Sequence, residues 1–369
     1  MNILRVVRQL KFQVAKTIGD LWRSLFPALM QGHRDRWLRL SVLLLLTLIT
    51  TVACGRRDVV SDSGSQPALT APTAVSAETR SVQHAMGTAQ VPADPQRVMS
   101  LSWLDAVLSL GVQPIGSNQV NDSYLRERAA DIPNVGRSGA PSLEKILALK
   151  PDLILGWQTD HKAIYPQLSR ITPTVIDGAE GSGDWKKTLQ LYAQALGKTA
   201  EAEQVMTKYQ ARLAEFKQKM SAGAAGSQPG QMQVSVVRVY PDGISLYLKD
   251  SFAGTILADA GLSRPSSQNL SASEAKALGG NPVQLSISRE LLSQADGDVL
   301  FVWTAENDAK LAQDAQKQLE QLKSDPLWAN LKAVKQNRVY QVPNYWIGSG
   351  PIAANLVIDD LSKYLVDGV

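Results

Sequence analysis

The sequence predicts an α/β protein with two Rossmann-like lobes, each built on a mostly parallel sheet, joined by one long helix. Three observations support this fold class. A length of 369 residues suits two lobes better than one core. Short apolar strands alternate with helical patterns, as in parallel sheets covered on both faces. An uninterrupted amphipathic stretch of about six helical turns separates the two halves.

The first segment, residues 1–53, is predicted to be a signal peptide. Three arginines between residues 34 and 39 precede a mostly apolar, uncharged stretch from residue 40 to residue 53. That stretch is short for a transmembrane helix and typical of the hydrophobic region of a secretory signal. Translation from Met30 would give a signal of ordinary length, so Met30 is a candidate start site.

The positive charge of the chain is concentrated in this leader. Eight of the 38 Lys and Arg residues and two of the 34 Asp and Glu residues lie in residues 1–53. The remainder therefore has 30 basic and 32 acidic residues and is close to neutral. This distribution predicts no nucleic-acid partner.

Cys54 is the only cysteine in the sequence and directly follows Thr51-Val-Ala. This pattern is similar to a bacterial lipobox, in which the cysteine is lipidated and becomes the new N-terminus, although Thr51 stands where that pattern prefers an aliphatic residue. A lipid on Cys54 would anchor the protein to a membrane; an unmodified thiol is the alternative. Residues 54–79 are rich in Ser, Ala, Thr, Pro and Gly and are predicted to form a disordered tether.

The N-terminal lobe is predicted over residues 80–198. A strand at 97–101 precedes a helix at 104–110 that Gly111 ends. A second helix at 141–149 is followed by the apolar strand 153–155. Strands that alternate with helices in this way favour a parallel sheet.

The interlobe helix is predicted over residues 199–222 and the C-terminal lobe over residues 223–369. The apolar stripe of the helix consists of Ala202, Val205, Met206, Tyr209, Leu213, Phe216 and Met220. The C-terminal lobe opens with a strand at 234–240. A helix between lobes limits their relative motion, because bending it costs hydrogen bonds.

The second half repeats a pattern of the first. Glu, Asp and Trp recur at matched offsets in residues 144–157 and 290–303, with an apolar run between them. Each copy is predicted to be a helix, a turn and a strand. Chance similarity between two such units is the alternative.

Sequence signatures of enzymes are missing. The chain has no Gly-x-Ser-x-Gly elbow, no Walker sequence and no Gly-x-Gly-x-x-Gly after a strand. Beyond the leader the only histidines are His84 and His161, which is too few for a metal site of histidines and carboxylates. We expect His84 to be a structural residue of a hairpin and His161 to be exposed.

Aromatic residues at strand ends predict a ligand site. In open α/β sheets, ligands bind beyond the carboxyl ends of strands, and two such edges that face each other make a cleft between lobes. The rings in such places are Trp103, Trp157, Trp303, Tyr345 and Trp346. Packing in the core or at its rim is the alternative for each ring.

Arg238 is the predicted anion-binding residue. By period-two alternation it shares one strand face with Val234, Val236 and Tyr240, where its charge requires an anion. A protein carboxylate or a bound anionic ligand could supply that anion. Arg137, in a Gly-rich loop, is a further candidate. The predicted ligand contacts are therefore Trp103, Arg137, Trp157, Arg238, Tyr240, Trp303, Tyr345 and Trp346.

The chain from about residue 79 onward resembles the ferric-siderophore-binding proteins of bacterial ABC importers, the helical-backbone, class III periplasmic solute-binding proteins that also include cobalamin and haem binders. The resemblance depends on Val98-Met-Ser-Leu-Ser, Leu110-Gly-Val-Gln-Pro-Ile-Gly116, Val135-Gly-Arg-Ser-Gly-Ala-Pro-Ser-Leu-Glu144, Lys150-Pro-Asp-Leu-Ile, Tyr247-Leu-Lys-Asp-Ser-Phe252 and Trp346-Ile-Gly-Ser-Gly-Pro351. Many relatives place an arginine where Ser138 stands, and here Arg137 lies one position earlier.

The resemblance implies that one exposed glutamate of each lobe docks on an arginine pocket of the permease dimer. Glu144 and Glu290 match these two positions. Two solvated carboxylates in the first turns of helices are the alternative, since the helix dipole favours them there.

The expected protein is exported, monomeric and lipid-anchored on the periplasmic or cell-surface face of a bacterial membrane. It captures a ferric siderophore or ferric citrate in the interlobe cleft and delivers it to the permease. The iron arrives already chelated, so no cofactor and no protein metal ligand are expected. A cobalamin- or haem-binding importer component, a non-transport lipoprotein and an exported hydrolase are the alternatives.

Overall fold

A computed structural model describes residues 78–120, 122–222, 229–279, 281–304 and 308–368. The predicted signal peptide, Cys54 and all but the last two residues of the predicted tether lie outside the described residues. Among the helices of the described part, none is both long and apolar enough to cross a membrane.

The first half of the described chain is a parallel sheet with helices and two hairpins. Its strands are β1 (Thr79–His84), β2 (Gly87–Pro92), β3 (Val98–Ser100), β4 (Gly116–Ser117), β5 (Gly136–Arg137), β6 (Ala140–Pro141), β7 (Leu153–Trp157) and β8 (Thr174–Asp177). Its helices are α1 (Leu104–Ser109), α2 (Leu143–Ala148), α3 (Gln158–His161), α4 (Tyr165–Ile171) and α5 (Trp185–Leu196). The sheet has the order β4-β3-β7-β8, and all its neighbours are parallel. The carboxyl ends of these strands therefore meet at one edge.

His84 lies at the turn of the hairpin that β1 and β2 form. The strands pair in register from Thr79 with Pro92 to His84 with Gly87, and Gly87 has a φ of 124°. The backbone N–H of Met86 donates to Nδ1 of His84 at 3.2 Å. His84 is thus a structural residue of the hairpin, as the sequence predicts.

The second half contains a mixed sheet. Its strands are β9 (Val234–Tyr240), β10 (Gly243–Tyr247), β11 (Gln284–Ile287), β12 (Val299–Trp303) and β13 (Val339–Gln341), in the order β11-β10-β9-β12-β13. β9, β12 and β13 are parallel, whereas β10 and β11 are antiparallel to their neighbours. The α/β fold class is confirmed, but this sheet is less parallel than expected. The reason is the two-residue connection between β9 and β10, which can join only antiparallel strands.

The remaining helices include the one that joins the halves. They are α6 (Thr199–Ala222), α7 (Phe252–Asp259), α8 (Ala272–Gly279), α9 (Ala309–Lys323), α10 (Pro326–Ala329), α11 (Lys332–Lys335) and α12 (Pro351–Leu365). Short 3₁₀ helices cover Ser123–Leu125, Lys162–Ile164, Ser182–Asp184, Pro229–Gln231, Ser266–Gln268, Arg289–Ala295 and Asn344–Ile347.

Helix α6 belongs to the cores of both halves. It has 24 residues and spans about 36 Å. Ala202 packs with the first core, whereas Tyr209, Leu213, Phe216 and Met220 pack with the second. Each large side chain buried in this way stabilises the fold by about 1.5–3 kcal/mol. The helix is thereby held against both halves along its apolar stripe.

The sequence repeat corresponds to a structural repeat. β7 is parallel to β3 and β12 is parallel to β9. Just before β7, the carboxylate of Asp152 accepts the backbone N–H groups of Gln96 and Arg97 at 2.7 and 2.9 Å. Just before β12, Asp298 accepts the backbone N–H of Gln233 at 2.8 Å. In both copies, an aspartate before one strand thus accepts backbone N–H groups at the start of the neighbouring parallel strand.

Candidate ligand-binding site

Trp103 and Trp157 form an aromatic pair at the carboxyl edge of the first sheet. Trp157 ends β7, and Trp103 follows β3 in a left-handed backbone conformation with φ 56°. Their ring centroids lie 5.1 Å apart at an angle of 59°. The indole N–H of Trp157 donates to the carbonyl of Ala179 at 2.7 Å. Trp157 is half-buried and Trp103 is 6 % exposed, so most of the exposed ring surface of the pair belongs to Trp157.

His161 is buried, so the expectation that it is exposed is wrong. Its exposed fraction is 0 %. The backbone N–H of Trp157 donates to its Nδ1 at 3.1 Å, because α3 turns back directly after β7. Burial lowers the pKa of His161, which favours the neutral ring and keeps Nδ1 available as an acceptor. His161 therefore orients the backbone of Trp157.

Arg238 is held between two aromatic rings at the carboxyl edge of the second sheet. Its guanidinium carbon lies 4.1 Å from the ring centroid of Tyr240 and 4.2 Å from that of Trp303. Nη1 of Arg238 donates to the hydroxyl of Tyr240 at 3.1 Å. The Trp303 ring in turn meets Tyr247 edge-on at 5.5 Å. Arg238 and Tyr240 are half-buried, whereas Trp303 is 0 % exposed.

A cavity of about 690 Å³ lies between the two halves. Its lining includes Asp177 and Ala179 from the first half and Asp250 and Val283 from the second. Ala179 accepts the indole N–H of Trp157, and Val283 directly precedes β11. None of the eight residues predicted to contact a ligand is among the described residues that line this cavity. The aromatic pair and the arginine cluster therefore lie outside this lining. Trp157 is linked to it through Ala179, and Tyr240 through Gln284, the chain neighbour of Val283.

The wall of this cavity carries more carboxylates than cations. Asp177, Glu180, Asp184 and Asp250 line it, with Lys187 as the basic residue of the lining. Burial raises the pKa of Asp177, although its carboxylate also accepts the hydroxyl of Thr188 at 2.7 Å. An anionic ligand is therefore better matched to the arginine cluster than to this wall. Within the described part of the chain, no group of three His, Cys, Asp or Glu side chains could hold a metal ion.

Tyr345 and Trp346 pack on helix α12. The hydroxyl of Tyr345 and the indole N–H of Trp346 both donate to Oδ2 of Asp360 at 2.8 Å. Trp346 is 0 % exposed and stacks on Phe301 with ring centroids 4.4 Å apart. Trp346 is therefore a core residue, which was the alternative that the sequence left open for each ring. Tyr345 packs against the same core.

Three predicted residues lie on the surface. Arg137 is exposed in the hairpin of β5 and β6, and the neighbouring Ser138 hydroxyl bonds to Asp160 of α3. This contact holds the hairpin beside the segment that follows Trp157. Glu144 is exposed in the first turn of α2, and Glu290 is exposed in the first turn of the 3₁₀ helix that precedes β12.

The structure adds two residues that the sequence analysis missed. Gln284 accepts the hydroxyl of Tyr240 at 3.0 Å. Asp105, which is 0 % exposed, accepts the backbone N–H groups of Ile352 and Ala353 at 2.9 Å each. Asp105 therefore joins the first half to the start of α12 in the second. The sequence shows Asp105 only as an acidic residue two positions after Trp103. Its partners lie about 250 residues away along the chain, so sequence spacing does not reveal this contact.

The chain belongs to the periplasmic binding protein family, whose model matches residues 100–345. It is 36 % identical over 303 residues to the probable siderophore-binding lipoprotein YfiY of Bacillus subtilis, covering 79 % of this chain and 89 % of that one. It is 30 % identical to the achromobactin-binding periplasmic protein of Dickeya dadantii, over 73 % of this chain and 86 % of that one. The crystal structure of Staphylococcus aureus SirA complexed with staphyloferrin B superimposes with a TM-score of 0.68 at 32 % identity, covering 78 % of this chain and 98 % of that chain.

Proposed function

We propose that this protein is the lipid-anchored solute-binding component of an ABC importer and that it captures an anionic ferric siderophore or ferric citrate between its two halves. The observation that carries the proposal is the guanidinium of Arg238, held between Tyr240 and Trp303 at a sheet edge. Two similar proteins, named a probable siderophore-binding lipoprotein and an achromobactin-binding periplasmic protein, favour the same ligand class.

The ligand would be bound by charge and by ring surface. The faces of the guanidinium meet two rings, and its edge suits carboxylate, hydroxamate or catecholate oxygens of the chelate. The ring of Trp157, with Trp103 behind it, would pack on the flat part of the ligand. Arg137 would approach from the rim of the first half. The iron would arrive already chelated, so the protein contributes no metal ligand, no cofactor and no chemical step.

Delivery would use the two exposed glutamates. Glu144 and Glu290 occupy corresponding places in the structural repeat, which supports one contact with each half of a twofold permease. The lipid on Cys54 would keep the protein, as a monomer, at the outer face of the membrane that holds the permease.

A titration of the purified protein tests the ligand. Intrinsic tryptophan fluorescence is suitable, because Trp157 and Trp303 belong to the two ring clusters. Ferric citrate, ferric staphyloferrin B, a ferric hydroxamate, cobalamin and haem would be compared. Saturable binding of a ferric chelate is expected, and binding of cobalamin or haem alone would favour those alternatives.

The Arg238→Ala variant tests the site. Loss of a charge-assisted hydrogen bond costs about 1.5–3 kcal/mol, so affinity for ferric citrate should fall about 10- to 150-fold. Arg128→Ala, which removes an exposed arginine of the first half, is the control and should bind as wild type does. Equal affinities of wild type and Arg238→Ala would remove Arg238 from the site.

A further inference from the structure

Tyr240 crosses a neighbouring strand to reach Gln284. In the sheet, β10 separates β9 from β11. Tyr240 pairs with Gly243 of β10, and Arg238 pairs with Ser245. Directly paired residues of adjacent strands share a face, so Gly243, Ser245 and Tyr247 of β10 lie on this face, and Tyr247 pairs with Gln284 of β11. The hydrogen bond from Tyr240 to Gln284 therefore spans β10 on the face that Gly243, Ser245 and Tyr247 share.

The hydroxyl of Tyr240 both accepts and donates a hydrogen bond. It accepts a hydrogen bond from Nη1 of Arg238 at 3.1 Å and donates one to Oε1 of Gln284 at 3.0 Å. Donation to the amide oxygen fixes the direction of the O–H bond, which turns the lone pairs of the tyrosine oxygen toward the guanidinium. The ring of the same tyrosine covers one face of that guanidinium. Gln284 therefore sets the position of a group that Arg238 touches in two ways.

We propose that Gln284 is a positioning residue for ligand recognition, which acts through Tyr240 to hold the edge of the Arg238 guanidinium toward an anionic ferric chelate. The inference rests on the proposed function, because it assigns Arg238 to the ligand. A flexible arginine loses side-chain freedom when a ligand immobilises it, and a side chain already held by two rings and a hydrogen bond loses less. Gln284 thus contributes affinity without touching the ligand.

The experiment is a double-mutant cycle on the purified full-length protein, with ferric staphyloferrin B and ferric citrate as probes. Gln284→Leu removes the acceptor, and Tyr240→Phe removes the hydroxyl while keeping the ring over the guanidinium. Each single variant should bind the probes about 3- to 10-fold more weakly, the scale of one neutral hydrogen bond. In the double variant the loss should equal that of Tyr240→Phe alone, because Gln284 acts only through the hydroxyl.

The control variant is Ser286→Ala, which removes a hydroxyl from the same strand face and should bind as wild type does. A merely structural effect of Gln284→Leu on β11 would persist in the Tyr240→Phe background, so additive losses would overturn the proposal. Unchanged binding by Gln284→Leu would overturn it as well. Failure of the wild-type protein to bind any ferric chelate would instead refute the proposed function, so the two failures are distinguishable.

Discussion

Replacing Asp105 by asparagine should remove a pH-dependent part of the stability of this protein. Asp105 is fully buried and accepts two backbone N–H groups at the start of α12. Burial raises its pKa to about 6, against an ordinary value of 3.8, although these hydrogen bonds act in the opposite direction. The neighbouring Asp122 also has its pKa raised to about 6, first by burial and then by the charge of Asp105.

The sign of the effect follows from proton binding. A carboxyl whose pKa is higher in the folded state holds its proton there between about pH 3.8 and 6, where the unfolded chain has lost it. The folded state therefore gains stability as the pH falls through 6 and loses it as the pH rises. For Asp105 the full difference corresponds to about 3 kcal/mol. Between pH 7.5 and pH 5, about 1.5 kcal/mol of that difference should be recovered.

The substitution Asp105→Asn introduces an amide, which cannot titrate and offers one oxygen where the carboxylate offers two. One of the two backbone N–H groups of α12 then loses its acceptor, which costs about 1–3 kcal/mol. At pH 7.5 this cost is offset by relief from burying a charge, so Asp105→Asn and wild type should be similarly stable. At pH 5 the variant should be less stable than wild type by about 1.5 kcal/mol, the part that the wild type recovers and the amide cannot.

The assay is urea unfolding followed by circular dichroism at pH 5 and pH 7.5. The quantity compared is the change in the free energy of unfolding between the two pH values, taken separately for each protein. Burial lowers the pKa values of His84 and His161, but these histidines contribute equally to wild type and variant. Asp131→Asn, at an exposed aspartate, is the control and should follow wild type. The same pH dependence in wild type and Asp105→Asn would refute the reasoning.

Two further predictions concern delivery and anchoring. Glu144→Lys combined with Glu290→Lys should leave ligand affinity in solution unchanged and abolish iron uptake by cells. Like charges at an interface cost several kcal/mol, on the order of a 100-fold loss or more. The matched control is Glu127→Lys with Glu203→Lys, two other exposed glutamates. Uptake at the wild-type rate would remove the docking role, and loss of ligand binding would place these glutamates in the site. Cys54→Ser should release the protein from membranes or block its processing, and a processed variant that still fractionates with membranes would contradict the lipid anchor.

The fold was predictable because its signals are local and periodic. The stripe on α6 and the strand β9 follow from spacing alone, and both occupy the predicted residues within two positions. The mixed character of the second sheet was missed, although the signal was present. Pro241 and Asp242 between two apolar runs indicate a hairpin turn, and a hairpin makes its strands antiparallel.

The site was only partly predictable, because burial and partners depend on distant parts of the chain. The alternation of β9 placed Arg238 and Tyr240 on one face, which the structure confirms through their stacking. A tryptophan at the end of a strand does not reveal whether it faces a cleft or the core. Trp157 is half-buried at the sheet edge, whereas Trp346 is enclosed between Phe301 and α12. Sequence spacing cannot distinguish these outcomes.

The contacts between the halves predict that ligand binding moves them little. Besides α6 and the cap that Asp105 provides, Lys186 of α5 forms an ion pair with Asp259 of α7, and Lys276 of α8 forms one with Glu180 at 2.6 Å. Wide separation of the halves would break buried hydrogen bonds to α12, at about 1–3 kcal/mol for each group left unsatisfied. Recognition would then depend on groups already in place before the ligand arrives. In the proposed site, the ring-held guanidinium of Arg238 would be such a group, oriented by Tyr240 and Gln284. Loss of a hydroxyl or an amide behind it should therefore be measurable as a loss of affinity.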